Sequence, residues 1–235
     1  MKIRRREELD ISIVMPCLNE EKTVGSCVDE AFRFIRDNNL DGEVIVVDNA
    51  STDRSAEIAD AHGARVIFES RKGYGRALRS GFAESRGRVV IMADCDTTYD
   101  LYHISGMYKL LAKRKYDMMI GDRFAGGIEK GAMPLSHKIG ARMLSFVARL
   151  RFHTRVKDFH CGIRGFTREA LCRMTLRTTG MEFATELIAE AVRKGLRIGQ
   201  VPVKLRRCEV SRHSKLRTIR DGMRHMKYIL RTRVR

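Results

Sequence analysis

The chain has 235 residues, 43% of them hydrophobic and 32% charged, and a formal net charge of +17. That length and apolar content suit one globular domain with a real core, or one domain with a terminal extension. The six cysteines form no C-x-x-C pair or zinc-ligand spacing, and no apolar run approaches the roughly 18 residues of a membrane span. A disulfide framework, a structural zinc site and an integral helix are therefore set aside. Free thiols fit a reducing compartment, and no signal peptide is read at the N-terminus, so a cytoplasmic location is expected with any membrane contact peripheral. The basic excess points to polyanionic partners: nucleic acid, an anionic membrane or phosphate-rich small molecules.

Residues 11–15 form a short β-branched run that stops at Pro16 and reads as a buried strand. Residues 23–36 carry Val24, Val28, Ala31, Phe32 and Ile35 at helical spacing. Residues 43–48 (E-V-I-V-V-D) are a second strand, almost wholly apolar, as expected of a parallel strand covered on both faces. Ser51 or Thr52 can cap the next helix, with Asp53 suiting its positive end. Residues 64–68, 88–93 and 117–121 read as further strands, and 74–85 and 101–113 as helices. In the second half, Gly126, Gly127, Gly131 and Pro134 mark a loop before a helix over 139–152. A strand at 164–167, a helix at 183–193, a strand at 198–205 and a basic amphipathic helix at 216–230 complete the reading. The aromatic residues Phe32, Phe34, Phe68 and Phe82 and the methionines Met118, Met119, Met143 and Met181 are read as packing residues.

Alternating strands and helices indicate an α/β sheet, parallel at least in the first half. Ligands of such sheets bind outside the carboxyl ends of the strands. The polar clusters lie at those ends: Asn19–Glu20, Asp48–Asn49, Asp94–Asp96 and Asp122–Arg123. Asp94 and Asp96, one residue apart after an apolar strand, offer hard oxygens to Mg²⁺ or Mn²⁺, ions that take one or two carboxylates and fill their remaining positions with phosphate and water. Such a pair also builds caps and turns. Cys95 reads as a small spacer, and Asp48 as a helix cap or an acceptor for a base or ribose. The stretch 16–21 (P-C-L-N-E-E) holds no glycine where a dinucleotide fold would carry G-x-G-x-x-G. His160 and Cys161 beside Asp158 lack a third close metal ligand.

Three of these segments, P-C-L-N-E-E, V-V-D-N-A-S-T-D and A-D-C-D, resemble the successive nucleotide-binding motifs of family 2 glycosyltransferases. The resemblance continues in order. Lys72–Ala77 (K-G-Y-G-R-A) is similar to a glycine-rich segment of the dolichol-phosphate mannose synthase-like branch. Gly121-Asp122-Arg123-Phe124, then Gly126-Gly127, resembles its G-S-R-Y…G-G loop, and 158–164 (D-F-H-C-G-I-R) its D-x-x-S-G-F-R. Residues 180–186 (G-M-E-F-A-T-E) and 211–216 (S-R-H-S-K-L) resemble its G-x-x-F-x-x-E and G-x-S-K segments.

The resemblance implies a GT-A fold, with a Rossmann-like, mostly parallel sheet flanked by helices. It implies a catalytic domain over 1–215 and a basic amphipathic helix over 216–235 at a membrane surface. Pro16, Leu18, Glu20 and Asp48 would hold the base and ribose. Asp94 and Asp96 would hold the metal and diphosphate, Asp96 more directly. Lys72, Gly73 and Cys95 join the donor side, Ser214 and Lys215 would close over the donor phosphates, and Arg164 and Glu182 would shape the sugar pocket. Arg123 would grip the acceptor phosphate with a bidentate fork. The implied reaction moves a hexose from a GDP- or UDP-sugar to a polyprenyl or dolichyl phosphate, with inversion, on the cytoplasmic face of a membrane. Many relatives append membrane helices. A chain ending at Arg235 is then truncated, pairs with a separate membrane subunit, or binds the anionic bilayer through its tail. Relatives also carry Gln where Thr98 stands, which leaves that ligand in question. A non-lipid acceptor is the alternative within the family. A nucleotidyltransferase would show a glycine-rich loop after the first strand, and a nucleic-acid binder would show stacking aromatics among its basic residues, whereas this chain has no Trp.

Overall fold

The computed structural model describes residues 9–208 and 218–234. They form one seven-stranded sheet in the order β3-β2-β1-β4-β6-β5-β7. The strands are β1 (Leu9–Cys17), β2 (Gly42–Asp48), β3 (Arg65–Phe68), β4 (Gly87–Met92), β5 (Met118–Asp122), β6 (Arg164–Thr167) and β7 (Ile198–Pro202). Helices α1 (Val24–Asp37), α2 (Ser55–Ala61) and α3 (Tyr74–Glu84) follow β1, β2 and β3. All pairings are parallel except those of β6, which runs antiparallel between β4 and β5.

The first half folds as its pattern dictates. Ile13, Val14, Met15, Val44, Ile45, Val46 and Val47 are buried, so both faces of β1 and β2 meet other elements. Strand β1 runs two residues past the expected end, through Pro16. Its pairing with β4 stops at Val14, while that with β2 reaches Cys17 opposite Asp48. Proline therefore falls where the β4 side of the ladder has ended, and its missing N–H breaks no hydrogen bond. The helix after β2 begins at Ser55, later than the expected caps. Asp53 accepts the Ser55 N–H at 3.0 Å, while Ser51 and Thr52 bond to Asn19 across the neighbouring loop.

The second half departs further. A 3₁₀ turn (Leu101–Ile104) precedes α4 (Ser105–Ala112), and Asp122 caps a four-residue helix, α5 (Arg123–Gly126), through the N–H groups of Phe124 and Ala125. Helix α6 (Leu135–Phe152) starts four residues before its expected position, and a short α7 (Arg168–Arg173) follows β6. Strand β7 ends at Pro202, after α8 (Phe183–Arg193), and α9 (Thr218–Arg231) packs against α6 and α8. Phe82 meets Phe166 of β6 at 5.6 Å and Phe183 of α8 at 6.3 Å, joining the two halves through one core.

Two expected packing residues are exposed. Phe68 ends the edge strand β3 at 73% exposure, and Met143 on the outward side of α6 is 64% exposed. The apolar face expected on the last helix is also turned. Asp221, His225 and Ile229 face the protein, whereas Met223 and Leu230 are exposed. No described helix is long and apolar enough to cross a membrane.

Candidate active site

Strand β1 lies between β2 and β4, so the loops leaving these three strands meet above its tip. The Asn49 N–H donates to the Cys17 carbonyl at 2.8 Å, and the Thr23 hydroxyl donates to the Cys95 carbonyl at 2.9 Å. The Glu20 N–H donates to Ser55 Oγ at 2.7 Å. Asp48, Glu20 and the Asp94–Asp96 turn thus border one cleft above the β1 tip, held by backbone and side-chain bonds between loops that are far apart in sequence.

Within that cleft Asp48 is 5% exposed. Its Oδ2 accepts the Ser51 N–H at 3.3 Å, while Oδ1 is buried without a hydrogen-bond partner among the described residues. A buried carboxylate oxygen left unpaired costs free energy until a donor arrives, and a ribose hydroxyl or base N–H is such a donor. Asn49 beside it is structural. Its Nδ2 donates to the carbonyls of Glu69 and Arg71, and its Oδ1 accepts the Gly73 N–H at 2.6 Å, which carries the Lys72–Gly73 turn over the cleft. The Lys72 side chain is exposed and Leu18 is partly exposed at the rim.

At the β4 end, the Tyr74 hydroxyl donates to Asp94 Oδ1 at 3.1 Å. Burial, reinforced by the charge of Asp94, pushes the Tyr74 pKa well up, so the phenol stays a donor. The N–H and hydroxyl of Thr98 both donate to Asp96 Oδ1. Thr98, standing where relatives carry Gln, therefore orients Asp96. Gly162 abuts Asp94 from the other side: a Cβ there would come within 2.0 Å of Asp94 Oδ2 and 3.0 Å of the Tyr99 ring. Any larger residue at 162 would displace the carboxylate. Two oriented carboxylates on one turn fit a hard cation that draws its other ligands from a diphosphate. The Cys95 side chain points away from them, 2% exposed, with Sγ 3.2 Å from the Pro16 carbonyl. A hydrogen bond with Cys17, together with burial, raises its pKa, so it is a neutral packing thiol.

The charged residues of the second half are engaged differently. Arg123 is 6% exposed and forms a two-pronged pair with the fully buried Asp158, Nε to Oδ2 at 2.7 Å and Nη2 to Oδ1 at 2.8 Å. Burial alone would lower its pKa; the Tyr99 and Asp158 interactions outweigh that and hold it charged. The edge of the fork expected to grip a phosphate is thus committed to Asp158, leaving the Nη1 side. Arg164 lies behind the pocket, fully buried, donating to the carbonyls of Phe159, Cys161 and Ala184. It braces the 158–162 loop against the start of α8. Glu182 pairs with Arg224 of α9, Oε2 to Nε at 2.9 Å. His160 and Cys161 are internal packing groups, and no cluster of three metal-ligating side chains occurs among the described residues. Ser214 and Lys215 lie outside the described residues. Sequence reasoning gave no role to Tyr74 or Gly162, placed Asn49 only in a strand-end polar cluster, and named Asp158 only beside His160 and Cys161. Each stands inside a segment already quoted, but its partner is distant in sequence.

A mostly parallel sheet whose strand tips carry an unpaired carboxylate and an oriented carboxylate pair has the donor set that a cation–diphosphate ligand needs. Residues 12–174 match the family described as glycosyl transferase family 2, and the chain belongs to that family. It is 37% identical over 221 residues to the low-salt glycan biosynthesis hexosyltransferase Agl6 of Haloferax volcanii, covering 94% of this chain and 53% of that protein. The chain thus spans about half the length of Agl6. It is 34% identical over 202 residues to a dolichyl-phosphate hexose transferase of the same organism, covering 84% of this chain and 83% of the relative. In fold it matches glucosyl-3-phosphoglycerate synthase of Mycobacterium tuberculosis, solved with Mn²⁺, UDP and glucosyl-3-phosphoglycerate. The TM-score is 0.75 at 25% identity, over 94% of this chain and 78% of that one. The architecture is the GT-A fold.

Proposed function

We propose that this chain transfers a hexose from a UDP- or GDP-sugar to a polyprenyl or dolichyl phosphate at an anionic membrane surface, with inversion at the anomeric carbon. The observation that carries the lipid acceptor is the outer face of α6. Leu135, Ile139, Met143, Phe146 and Leu150 are five of the eight large apolar residues that stand exposed among the described residues. At 3.6 residues per turn they fall on one stripe, and Lys138, Arg142 and Arg149 run along its edge. Arg142 sits 4.6 Å over the ring of Phe124, next to Arg123. An apolar stripe edged by cations, beginning beside the acceptor arginine, suits a polyprenyl chain leaving a headgroup layer. Helix α9 adds Met223, Leu230, Arg220 and Lys227 on exposed positions, in keeping with a membrane-surface role for 216–235. The relative named as a dolichyl-phosphate hexose transferase supports the same reading.

On this reading Asp48 and Glu20 hold the nucleoside, and Asp94 and Asp96 hold Mg²⁺ or Mn²⁺ with the diphosphate. The cation, when bound, supplies positive charge to the departing diphosphate. Tyr74 and Thr98 fix the two carboxylates so that little reorganisation accompanies reaction. The acceptor phosphate is already ionised, so its oxygen attacks the anomeric carbon as the bond to the nucleoside diphosphate breaks, and no general base is required. Arg123 orients that phosphate from its Nη1 side. Attachment to the membrane is peripheral, on the cytoplasmic face, alone or beside a separate membrane subunit. A second reading, a soluble phosphorylated acceptor, is favoured by the mycobacterial structure solved with phosphoglyceric acid.

The test is a transfer assay with UDP- and GDP-hexoses and Mg²⁺ or Mn²⁺, offered either polyprenyl phosphate in vesicles or phosphoglyceric acid in solution. Labelled sugar should appear on the lipid. Transfer only to the soluble acceptor would install the second reading, and turnover with neither would sink both.

A further inference from the structure

We infer that Arg206 is a positioning residue: its guanidinium, paired with Asp100, fixes the segment whose residue-206 N–H holds the Thr98 carbonyl, and through Thr98 it keeps the Asp96 carboxylate in the orientation that takes a cation–diphosphate pair. This rests on the reading above that Asp94 and Asp96 hold those groups. The turn that carries them is strained. Thr97, a β-branched residue, has φ +60°, a left-handed conformation such residues rarely adopt. Strain of this kind persists only where neighbouring structure over-determines it.

The neighbour that does so, Arg206, comes from 109 positions beyond Thr97, between β7 and α9. The Arg206 N–H donates to the Thr98 carbonyl at 2.8 Å, while the N–H and hydroxyl of that same Thr98 donate to Asp96 Oδ1. The Arg206 guanidinium pairs with Asp100, two residues on, and reaches Glu30 of α1 at 3.8 Å. Arg206 thereby adds a cation at the end of a turn that otherwise gathers Asp94, Asp96, Asp100 and Glu30, and its charge offsets their mutual repulsion.

The segment bearing Arg206 is itself anchored to the loop that bears Arg123. The Val203 N–H donates to the Asp122 carbonyl at 3.1 Å, and Leu205 exchanges bonds with Gly127 and Glu129 at 2.9 and 3.0 Å. Lys204 Nζ lies 2.8 Å from Glu129 Oε1. Residues 203–206 therefore tie the turn that carries Asp94 and Asp96 to the loop that carries Arg123.

The test is calorimetric titration of the full chain with UDP and with GDP, each with Mn²⁺, and with UMP and GMP without metal. Wild type, Arg206→Gln, Arg206→Lys, Asp100→Asn and the Arg206→Gln/Asp100→Asn pair are compared. Arg206→Gln should weaken binding of the preferred diphosphate with Mn²⁺ about tenfold, as loss of an outer-shell orienting group does. The matching monophosphate, held by Asp48, should bind as before. Arg206→Lys should recover part of the loss, and the double variant should lose no more than Arg206→Gln. Unchanged diphosphate affinity in Arg206→Gln would overturn the inference, as would equal losses for mono- and diphosphate, which mark general damage. If Mn²⁺ does not strengthen diphosphate binding in the wild type, the cation reading itself fails and this inference falls with it.

Discussion

The two halves of the molecule treat their charged residues in opposite ways. Up to β4, acids are delivered to strand tips and kept ready: Asp48 retains an unpaired buried oxygen, and Asp94 and Asp96 are oriented by hydroxyl donors. From β5 onward, the interior charges are engaged by one another or by the backbone: Arg123 by Asp158, Arg164 by three carbonyls, Glu182 by Arg224. The first half is a preorganised recognition surface, and the second is a braced frame. A preorganised carboxylate site suits one invariant ligand, which on the proposed function is a nucleoside diphosphate. On the proposed function, a braced frame leaves acceptor choice to what stands outside it, and the exposed stripe of α6 is the candidate. The contrast predicts that a substitution in the second half strikes stability first, and one in the first half strikes activity first.

The sharpest way to break that contrast is Asp158→Ala. It strands the Arg123 guanidinium in the interior without its partner, and losses of about 3–5 kcal/mol are usual for half of a buried pair. Urea unfolding should report a loss in that range. A loss below about 1 kcal/mol would mean that Arg123 finds water or another acceptor and that the second half is no rigid frame. Asp96→Ala makes the opposite case. Turnover should fall by about two orders of magnitude or more, while the unfolding midpoint stays close to wild type because Asp96 is only partly buried at a loop. Near-normal turnover with Mg²⁺ or Mn²⁺ present would remove Asp96 from the cation site.

The halves also differ in how much of them could be read beforehand. β2 and β4 are apolar runs closed by Asp48 and Asp94, and β1 is a short apolar run followed by Glu20, so both the strands and the carboxylates near their tips were visible in one dimension. What made those carboxylates a site was not. Tyr74 reaches Asp94 across 20 positions, and Gly162 is required by an Asp94 that precedes it by 68 residues. Beyond β5 the local pattern is ambiguous. Helix α6 has apolar residues almost all the way round, so its sequence could not say that Ser145, Ala148 and Phe152 face inward while Met143 and Phe146 face out. The pairing of Arg123 with Asp158, 35 positions apart, commits one edge of its fork to the frame, which no local pattern showed. Strand β6 was legible at 164–167, but its antiparallel insertion between two strands that precede it in the chain was not.

A third prediction examines the frame where α9 joins it. His225 is 4% exposed, hydrogen-bonded to Thr185 Oγ1 at 2.7 Å, with its ring 4.6 Å from that of His160. Burial lowers its pKa from 6.5 to about 4, outweighing the carboxylates of Glu182 and Asp221, while Arg164 and Arg224 push the same way as burial. Burial likewise drives the His160 pKa well below 6.5, and the charges of His225, Arg123 and Arg164 add to it. In the window between those values the unfolded chain binds protons that the folded chain does not. The stability owed to neutral His225 is thus complete above pH 6.5 and is lost as pH falls toward about 4. Between pH 6.5 and 5 this amounts to about 2 kcal/mol. Denaturation curves of His225→Gln should be flatter than wild type over that interval. Parallel curves would show that the histidine is hydrated in solution.

The smallest effect on folding belongs to the outer face of α6, and that smallness makes it informative. Met143 and Leu150 are 64% and 62% exposed, so Met143→Glu and Leu150→Glu should shift stability by no more than about 0.5 kcal/mol. Neither residue touches the strand-tip cleft, so Mn²⁺-dependent binding of the nucleoside diphosphate should be unchanged. If the stripe meets a bilayer, however, each glutamate puts a carboxylate into the headgroup boundary and opposes the attraction of Lys138, Arg142 and Arg149 for anionic lipid. Flotation with vesicles containing phosphatidylserine should then fall for both variants, and transfer to vesicle-borne polyprenyl phosphate should fall with it. Transfer to a short, water-soluble polyprenyl phosphate should persist. Equal loss on both acceptors would assign the stripe to the catalytic fold rather than to the membrane. Undiminished flotation would leave α9 as the surface that meets lipid, because it carries Met223 and Leu230 outward independently of α6.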